Sequence, residues 1–222
     1  MSRPLPALAV IAKAPVAGRS KTRLCPPCTP VQAARLAAAA LADTLATVAA
    51  TPAGARVLVL DGEPGPWCSP AMTVIPQRGD GLDERLAAAF EDVAGPALVI
   101  GMDTPQVRPA LLSAALRRLT EPAVDAVLGP ADDGGYWALG LRRADRALLE
   151  GVPMSVPETG AAQRRRLAEA GLTVAELPTL RDVDRFADAR AVAALAPGGR
   201  FARAVHELDR RPAATSAVAG PC

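Results

Sequence analysis

Short apolar runs alternate with longer amphipathic runs along most of this chain. The apolar runs predict strands at 6–12, 56–61, 72–76, 97–100, 124–129, 136–141 and 173–177. The amphipathic runs predict helices at 30–50, 83–93, 109–119, 163–170, 184–195 and 201–211. This alternation predicts an α/β fold, a three-layer sandwich with a mostly parallel, Rossmann-like mixed sheet.

Two local signals refine that prediction. Thr29, Pro30 and Gln32 form a helix-start pattern, with a capping hydroxyl, a proline in the first turn and a glutamine that completes a capping box. Gly134 and Gly135 lie in the turn between two apolar runs, which predicts an antiparallel hairpin within an otherwise parallel sheet.

Length and composition predict one domain and argue against several classes of partner. The chain has 222 residues, of which 50% are hydrophobic, so we expect a single domain over 1–211 and a disordered tail over 212–222. A net charge of +2 and 3% aromatic residues argue against nucleic-acid binding. The first apolar run is too short to span a bilayer, so we expect no membrane association and a cytoplasmic location.

The four cysteines do not change this picture. Cys25 and Cys28 have the C-x-x-C spacing, but no second pair follows them and the chain has a single histidine. A zinc or redox site would need such additional ligands or a thioredoxin-like context. We interpret the cysteines as reduced thiols.

A basic loop follows the first predicted strand. Lys13, Arg19, Lys21 and Arg23 place four cations within eleven residues, and Gly18 permits close backbone approach. The loop is either a solvated surface segment or a phosphate-binding site, and its position at a strand end favours the second. It is not a P-loop, because Lys13 stands where that motif needs its first glycine.

Three aspartates are candidates for binding a divalent cation. Asp103 follows the apolar run 97–100 and either caps a turn or binds Mg²⁺ or Mn²⁺. Asp182 and Asp184 are two residues apart, and Asp184 could equally be the N-cap of the next helix. Mg²⁺ typically takes one or two carboxylates together with substrate phosphates, which fits one acid from each segment.

Two further segments carry weaker signals. The turn after 124–129 is first a hairpin, but its glycines could let a substrate approach while Asp133 and Tyr136 line the pocket. Gln77 follows a predicted strand and has amide groups suited to a nucleobase edge, although a plain loop with a helix cap at Asp80 is also possible.

Four motifs together resemble one bacterial family. They are the loop A-K-A-P-x-x-G-x-x-K-T-R-L at 12–24, G-x-D-x-P at 101–105, G-P-x-x-D-G-G-Y at 129–136 and D-V-D at 182–184. The chain resembles the glycosyltransferase-A-type family of nucleotide-diphospho-sugar transferases over 7–195. It is also similar to 2-phospholactate guanylyltransferase and, more distantly, to molybdenum-cofactor guanylyltransferase.

The resemblance implies a role for each candidate residue. Catalysis would involve Lys21 and Asp103, and the metal, Mg²⁺ or Mn²⁺, would bind Asp103 and Asp184, with Asp182 the less favoured choice. The remaining residues would bind the two substrates: the nucleotide by Lys13, Gly18, Arg19, Lys21, Arg23, Gln77 and Gly79, and the acceptor by Asp133, Gly134, Gly135, Tyr136 and Ser155. Ser155 is the one residue retained from an aromatic Trp-Ser-Thr stretch that family members often carry.

The predicted function is therefore metal-dependent transfer of a glycosyl or nucleotidyl group, from a nucleoside diphosphate sugar or a nucleoside triphosphate, to an unknown small acceptor. The altered stretch at 153–157 leaves open a nucleotide-binding module of the same fold without turnover. A dinucleotide-dependent oxidoreductase is disfavoured because no G-x-G-x-x-G follows the first strand. The base, the sugar, the acceptor and the oligomeric state stay open.

Overall fold

A computed structural model describes residues 5–210 as one seven-stranded sheet with six α-helices. The strands are β1 (Ala7–Lys13), β2 (Arg56–Asp61), β3 (Thr73–Pro76), β4 (Ala97–Gly101), β5 (Ala126–Pro130), β6 (Tyr136–Leu141) and β7 (Val174–Glu176). The helices are α1 (Pro30–Ala49), α2 (Leu82–Val93), α3 (Pro109–Thr120), α4 (Thr159–Glu169), α5 (Phe186–Leu195) and α6 (Arg200–Asp209). The predicted tail at 212–222 lies outside the described residues.

The sheet is mixed, in the order β3-β2-β1-β4-β6-β5-β7. Only β6 runs antiparallel to its neighbours, pairing with β4 on one side and with β5 on the other. The hairpin predicted at Gly134 and Gly135 is the β5–β6 connection, and β7 returns to a parallel pairing with β5. The predicted fold class, a three-layer α/β sandwich with a mostly parallel mixed sheet, is confirmed.

Alternate residues of the strands cover two separate cores. Leu8 and Val10 of β1 pack with Leu41 of α1 and Leu112 of α3, whereas Ala9 faces the other side. That second core is filled by residues of α2 and α4, among them Phe90 and Leu167. A third cluster places α5 and α6 against the outer face of α1 (Ala33, Leu36, Phe186, Val192, Phe201, Val205).

Local sequence signals account for several helix ends. The capping box of α1 is present, because the Gln32 N–H donates to the Thr29 hydroxyl and the Thr29 N–H donates to the Gln32 carboxamide oxygen. Helix α4 begins at Thr159, one turn before the predicted start at Gln163. Helix α5 begins at Phe186 rather than Asp184, so Asp184 is not its N-cap.

The topology creates a crevice at the carboxyl ends of the central strands. Strand β1 pairs in parallel with β2 on one side and with β4 on the other, and the chain leaves β1 and β4 in opposite directions across the sheet. Open α/β sheets bind ligands at such a switch point. No helix among residues 5–210 has the length and apolar character needed to cross a membrane.

Candidate functional site

A cavity of about 530 Å³ opens at the carboxyl ends of β1 and β4. Its lining comes from segments that are distant in the sequence: the ends of both strands, the β5–β6 hairpin, the start of α2 and the segment before α4. Seven of the predicted site residues line it: Lys13, Gln77, Asp103, Asp133, Gly135, Tyr136 and Ser155. The fold therefore collects residues from both the nucleotide-binding and the acceptor-binding predictions in one place.

Lys21 contacts the cavity through Asp103. The Ser20 hydroxyl accepts from the Val16 N–H at 3.0 Å and donates to the Ala14 carbonyl at 2.9 Å, which folds the basic loop back on itself. Lys21 then adopts a left-handed backbone conformation with φ of 52°. Its ammonium group lies 2.8 Å from Asp103 Oδ2 and also donates to the Val183 carbonyl. A non-glycine residue at positive φ is uncommon, and such strain is concentrated at functional sites.

Asp103 presents two different oxygens. Oδ2 pairs with Lys21, whereas Oδ1 is buried and has no hydrogen-bond partner among residues 5–210. The Asp103 carbonyl accepts from the Val183 N–H at 2.9 Å, which ties the 181–183 segment to the end of β4. A buried carboxylate oxygen without a partner is costly unless a ligand satisfies it.

Asp182 lies next to this carboxylate and lines the same cavity. Burial raises the pKa of Asp182 to about 6, and the negative charges of Asp133 and Asp103 contribute in the same direction. The positive charge of Lys21 opposes them. Three carboxylates therefore interact across this part of the cavity, and Lys21, which is paired with Asp103, is the cation that opposes them.

Asp184 is placed differently from the prediction. It does not line the cavity, and its Oδ2 accepts from Arg23 at 2.9 Å. This ion pair occupies both a predicted metal ligand and a predicted phosphate ligand. The expected pairing of Asp103 with Asp184 is therefore revised: the structure brings Asp182 to Asp103, because Val183, between the two candidates, is held by Asp103 and buried.

Arg85 is a residue of the candidate site that the sequence does not identify. It lines the cavity from α2, and its guanidinium bonds Asp61 Oδ2 at 3.1 Å and the Gly79 carbonyl at 3.0 Å. Lys13 lies 3.6 Å from the same Asp61 oxygen, so one carboxylate at the end of β2 holds two cations. An arginine on a predicted amphipathic helix carries no sequence signal for a ligand site, since helices often expose such residues.

The other nucleotide-binding candidates are spread more widely. Arg19 lines a second cavity of about 310 Å³, together with Lys13, Asp61 and Trp67. Gly18 and Gly79 line neither cavity. Gln77 donates from its amide nitrogen to the carbonyls of Ala12 at 2.8 Å and Val59 at 3.2 Å. Its role within the described residues is thus to join strand ends, which leaves its carboxamide oxygen for a ligand.

The hairpin contributes Asp133, Gly135 and Tyr136 to the cavity, but not Gly134. Gly134 has φ of +89°, and a Cβ there would lie 2.0 Å from the Pro157 carbonyl oxygen. It permits a backbone contact, since its own carbonyl accepts from the Gly160 N–H at 2.8 Å. Gly134 is therefore placed where it holds the 155–160 segment against the hairpin, not where an acceptor would touch it.

Apolar side chains cover the cavity near this hairpin. Met154, Val156 and Leu82 line it, and Leu82 and Val156 are among the exposed large hydrophobic residues of the chain. The Tyr136 hydroxyl approaches Gln163 Oε1 at 3.5 Å. Burial raises the pKa of Tyr136 above its usual range, so its phenol stays neutral at physiological pH.

Cys25, Cys28 and Cys68 are free thiols, and burial raises the pKa of Cys28. Trp137 is buried and donates to the Pro178 carbonyl at 3.0 Å, although its edge reaches the cavity. Among residues 5–210, no three or more His, Cys, Asp or Glu side chains are grouped closely enough to bind a metal by themselves.

Sequence comparison assigns the chain to a family without an assigned activity. The model of the family described as an uncharacterized protein conserved in bacteria (DUF2064) matches residues 34–156, more than half of the chain. The chain belongs to this family. None of the curated proteins matches it in sequence.

Solved structures share the fold of this DUF2064 protein. One, from Desulfovibrio desulfuricans G20, is provisionally named a nucleotide-diphospho-sugar transferase. It superposes with a TM-score of 0.82 at 24% identity, over 93% of this chain and 96% of that one. At this identity the likeness establishes the fold, and it confirms the resemblance to nucleotide-diphospho-sugar transferases at that level.

Two more distant neighbours have nucleotide ligands in their structures. A CMP:2-keto-3-deoxy-manno-octonic acid synthetase complexed with CTP has a TM-score of 0.57 at 14% identity, covering 86% of this chain and 98% of that one. A mannosyltransferase from Pyrobaculum calidifontis, in complex with GDP-Man and Mn²⁺, has a TM-score of 0.55 at 15% identity, covering 92% and 65%. The fold thus occurs in both nucleotidyl and glycosyl transferases.

Proposed function

We propose that this DUF2064 protein is a divalent-metal-dependent transferase. It binds a nucleoside diphosphate sugar or a nucleoside triphosphate and transfers a glycosyl or nucleotidyl group to a small acceptor. The observation that carries the proposal is Asp103, which stands at the end of β4 with one oxygen on Lys21 and the other buried and unpartnered. A carboxylate in this state, at the switch point of an open sheet, is suited to a cationic ligand.

The carboxylate oxygens of the cavity suit a divalent cation whose remaining ligands come from the substrate. Asp103 offers a free oxygen, and Asp182 lies in the same cavity with its pKa raised by burial and by the neighbouring carboxylates. A bound cation would relieve that repulsion. Mg²⁺ and Mn²⁺ suit oxygen ligands, and Mg²⁺ commonly combines one or two carboxylates with phosphate oxygens and water. We therefore assign the metal to Asp103 and Asp182, with Asp184 as the alternative.

Cations of the chain would neutralise the substrate charge that the metal ion leaves uncompensated. When bound, a divalent cation supplies charge neutralisation at the substrate phosphates. Lys21 holds Asp103 in place and brings a positive charge to the same edge of the cavity. Lys13 and Arg85 add two cations on the β1–β2 side, both anchored by Asp61. Such preorganised charges favour the departure of an anionic leaving group, so catalysis would rest on positioning and electrostatics.

A panel of nucleotides and sugar nucleotides, each with Mg²⁺ or Mn²⁺, tests the proposal. A ligand that binds the native state raises the apparent melting temperature by mass action. We expect stabilisation that requires both nucleotide and metal and that is lost in Asp103→Asn. The matched control is Asp132→Asn, since Asp132 is an exposed hairpin aspartate that pairs with Arg181 and does not line the cavity. Equal stabilisation of both variants, or none of the native protein, would contradict the proposal.

Product analysis separates the two kinds of transfer. Release of pyrophosphate from a nucleoside triphosphate identifies nucleotidyl transfer, and release of a nucleoside diphosphate identifies glycosyl transfer. Metal-dependent binding without multiple turnovers on any acceptor would instead support a nucleotide-binding module. The altered 153–157 segment, which lines the acceptor side through Met154, Ser155 and Val156, is the observation that keeps this second function under test.

A further inference from the structure

The two sides of the main cavity differ in chemistry, and the difference restricts what the acceptor can be. On the β1–β2 side, Lys13 and Arg85 line the cavity, and they are the only Lys or Arg side chains that line it within the described residues. On the hairpin side, four apolar or aromatic side chains line it, here called the apolar wall (Leu82, Tyr136, Met154 and Val156). The two sides meet at α2, where Leu82 and Arg85 are one turn apart, but Asp61 anchors both Lys13 and Arg85 on the β1–β2 side.

The position of the apolar wall beside the hairpin is fixed by hydrogen bonds. Asp83, next to Leu82, accepts from the Gly151 N–H at 2.8 Å, which joins the start of α2 to the segment that carries Met154 and Val156. Gly134 packs under Pro157 and holds the other end of that segment. Leu82 and Val156 are nevertheless 42% and 40% exposed. The wall is an apolar surface that the fold builds but leaves in contact with solvent.

The charged groups next to the apolar wall are negative. Asp133 and Asp182 line the cavity there, and Arg181, next to Asp182 in the chain, is directed to Asp132 at 3.2 Å outside it. Arg85 is bound to Asp61 and to the Gly79 carbonyl, and Lys13 lies on the same Asp61. An acceptor with a phosphate or carboxylate group would meet two carboxylates there, whereas the cations of the cavity region are already paired with Asp61 or Asp103. An unpaired anion in a partly buried site is costly.

We infer that the acceptor side of this cavity binds a small molecule that has a hydrocarbon body and a hydroxyl group and carries no negative charge, and that it discriminates against phosphorylated or carboxylated acceptors. The apolar wall would cover the hydrocarbon body. Ser155 and Asp133, which both line the cavity, would supply polar groups for the acceptor hydroxyl. The inference relies on the proposed function only for calling the occupant the acceptor.

Binding of three matched probes tests the inference without any nucleotide. Cyclohexylmethanol, cyclohexanecarboxylate and cyclohexylmethylamine have nearly the same shape and carry zero, negative and positive charge. Ligands of this size reach about millimolar affinity, which ligand-observed NMR can measure. We expect the alcohol to bind the native protein at least about tenfold more tightly than the carboxylate, which corresponds to about 1.4 kcal/mol. The amine, which the two carboxylates do not repel, should also bind more tightly than the carboxylate. Equal or tighter binding of the carboxylate, or no binding of the alcohol, would overturn the inference.

A charge-introducing variant locates the binding. Val156→Arg puts a cation on the apolar wall at a position exposed enough to tolerate it, and we expect it to reverse the preference in favour of the carboxylate. The control is Val74→Arg, because Val74 is 37% exposed on β3 and lines neither cavity. It should leave the preference for the alcohol unchanged. A reversed preference in both variants would contradict binding at the apolar wall.

The same design separates this inference from the proposed function. Stabilisation by nucleotide and metal depends on Asp103 and should persist in Val156→Arg. If nucleotide binding succeeds but the alcohol does not bind the native protein, the inference fails and the transferase proposal stands. If the alcohol binds with the expected preference but no nucleotide binds, the transferase proposal fails and a site for an uncharged ligand stands.

Discussion

The β1–β2 side and the hairpin side of the cavity obtain their shapes in opposite ways. On the β1–β2 side and at the adjacent end of β4, charges bind one another: Asp61 holds Lys13 and Arg85, and Asp103 holds Lys21. On the hairpin side, the backbone packs closely at Gly134 and apolar side chains face the cavity, while Asp133 and Asp182 have no ion pair among the described residues. One side is organised by electrostatics and the other by packing.

This difference has consequences for ligand binding. On the β1–β2 side a phosphate must replace existing ion pairs. The net gain in binding free energy is therefore only the difference between the old and the new contacts. On the hairpin side an uncharged ligand covers surface that is already exposed, so it displaces no protein contact. Variants on the first side should therefore act mainly on nucleotide affinity and turnover, and variants on the second mainly on stability and acceptor choice.

The largest effect should follow removal of the Lys21 ammonium group. In Lys21→Met, Asp103 loses its ion pair and the developing phosphate charge loses a cation. We expect kcat/KM with nucleotide and metal to fall about 10²- to 10³-fold, the usual cost of one preorganised electrostatic contact.

Lys13→Met is the control for that variant. Lys13, the last residue of β1, is half exposed and lies 3.6 Å from Asp61, a carboxylate that Arg85 still holds. It should lose less activity than Lys21→Met. Native turnover in Lys21→Met would exclude Lys21 from catalysis and would contradict a catalytic role for the charged side of the cavity.

The next largest effect should come from the packing on the hairpin side. In Gly134→Ala, the added Cβ meets the Pro157 carbonyl oxygen at 2.0 Å, and the φ of +89° is unfavourable for alanine. We expect the free energy of unfolding to fall by about 2–4 kcal/mol, measured by denaturant titration.

Gly18→Ala separates the two causes in that prediction. Gly18 also has a positive φ, +77°, but a Cβ there meets nothing within 4 Å. It should lose only the conformational contribution, about 1 kcal/mol. If both variants lose the same stability, close packing at Gly134 is not what holds the 155–160 segment.

These two sides also explain what the sequence predicts and what it does not. Strand β2 has the predicted bounds and β1 and β4 differ by one residue, because buried strands are continuous apolar runs. Lys13 and Asp103 are identifiable because charged residues after such runs have no packing role. The apolar wall is not identifiable from the sequence. Leu82 and Met154 are residue types that usually lie in the core, and only the fold reveals that they line a cavity.

Prediction from the sequence is also limited where a placement depends on contacts between residues far apart in the chain. Asp182 and Asp184 have the same local pattern, and the sequence favoured Asp184. Their placement depends on Val183, whose N–H and carbonyl are bound by Asp103 and Lys21, and on Arg23, which takes Asp184. Arg85 was missed for the same reason, because its partner Asp61 is on another element. Contacts between residues that lie far apart in the chain leave no periodic signal.

A smaller effect, of opposite sign, should follow neutralisation of Asp182. Burial raises the pKa of Asp182 in the folded protein to about 6, above the ordinary aspartate value of 3.8, so ionisation of Asp182 destabilises the fold. That penalty is absent below the lower pKa, grows between the two values and is complete above about pH 6. Asp182→Asn should therefore raise the free energy of unfolding at neutral pH by about 1 kcal/mol in the absence of metal, allowing for partial solvent screening.

Thermal melts as a function of pH check this prediction. The gain should disappear as the pH falls to 3.8, where native Asp182 is protonated in the folded protein. Asp132→Asn is the control, because Asp132 pairs with Arg181 at the surface and should give no gain. A loss of stability in Asp182→Asn at neutral pH would mean that the carboxylates on the hairpin side are not in conflict.

The smallest effect should be that of Asp184→Asn, and it decides between the two candidate metal ligands. Its ion pair with Arg23 is largely exposed, and such pairs contribute about 0–1 kcal/mol. Since Asp184 does not line the cavity, nucleotide-dependent Mn²⁺ binding, measured by calorimetry, should be unchanged in Asp184→Asn and weakened in Asp182→Asn. The reverse result would show that Arg23 releases Asp184 when nucleotide binds. The ion pair between Arg23 and Asp184 would then open on binding, and Arg23 would be free to contact phosphate.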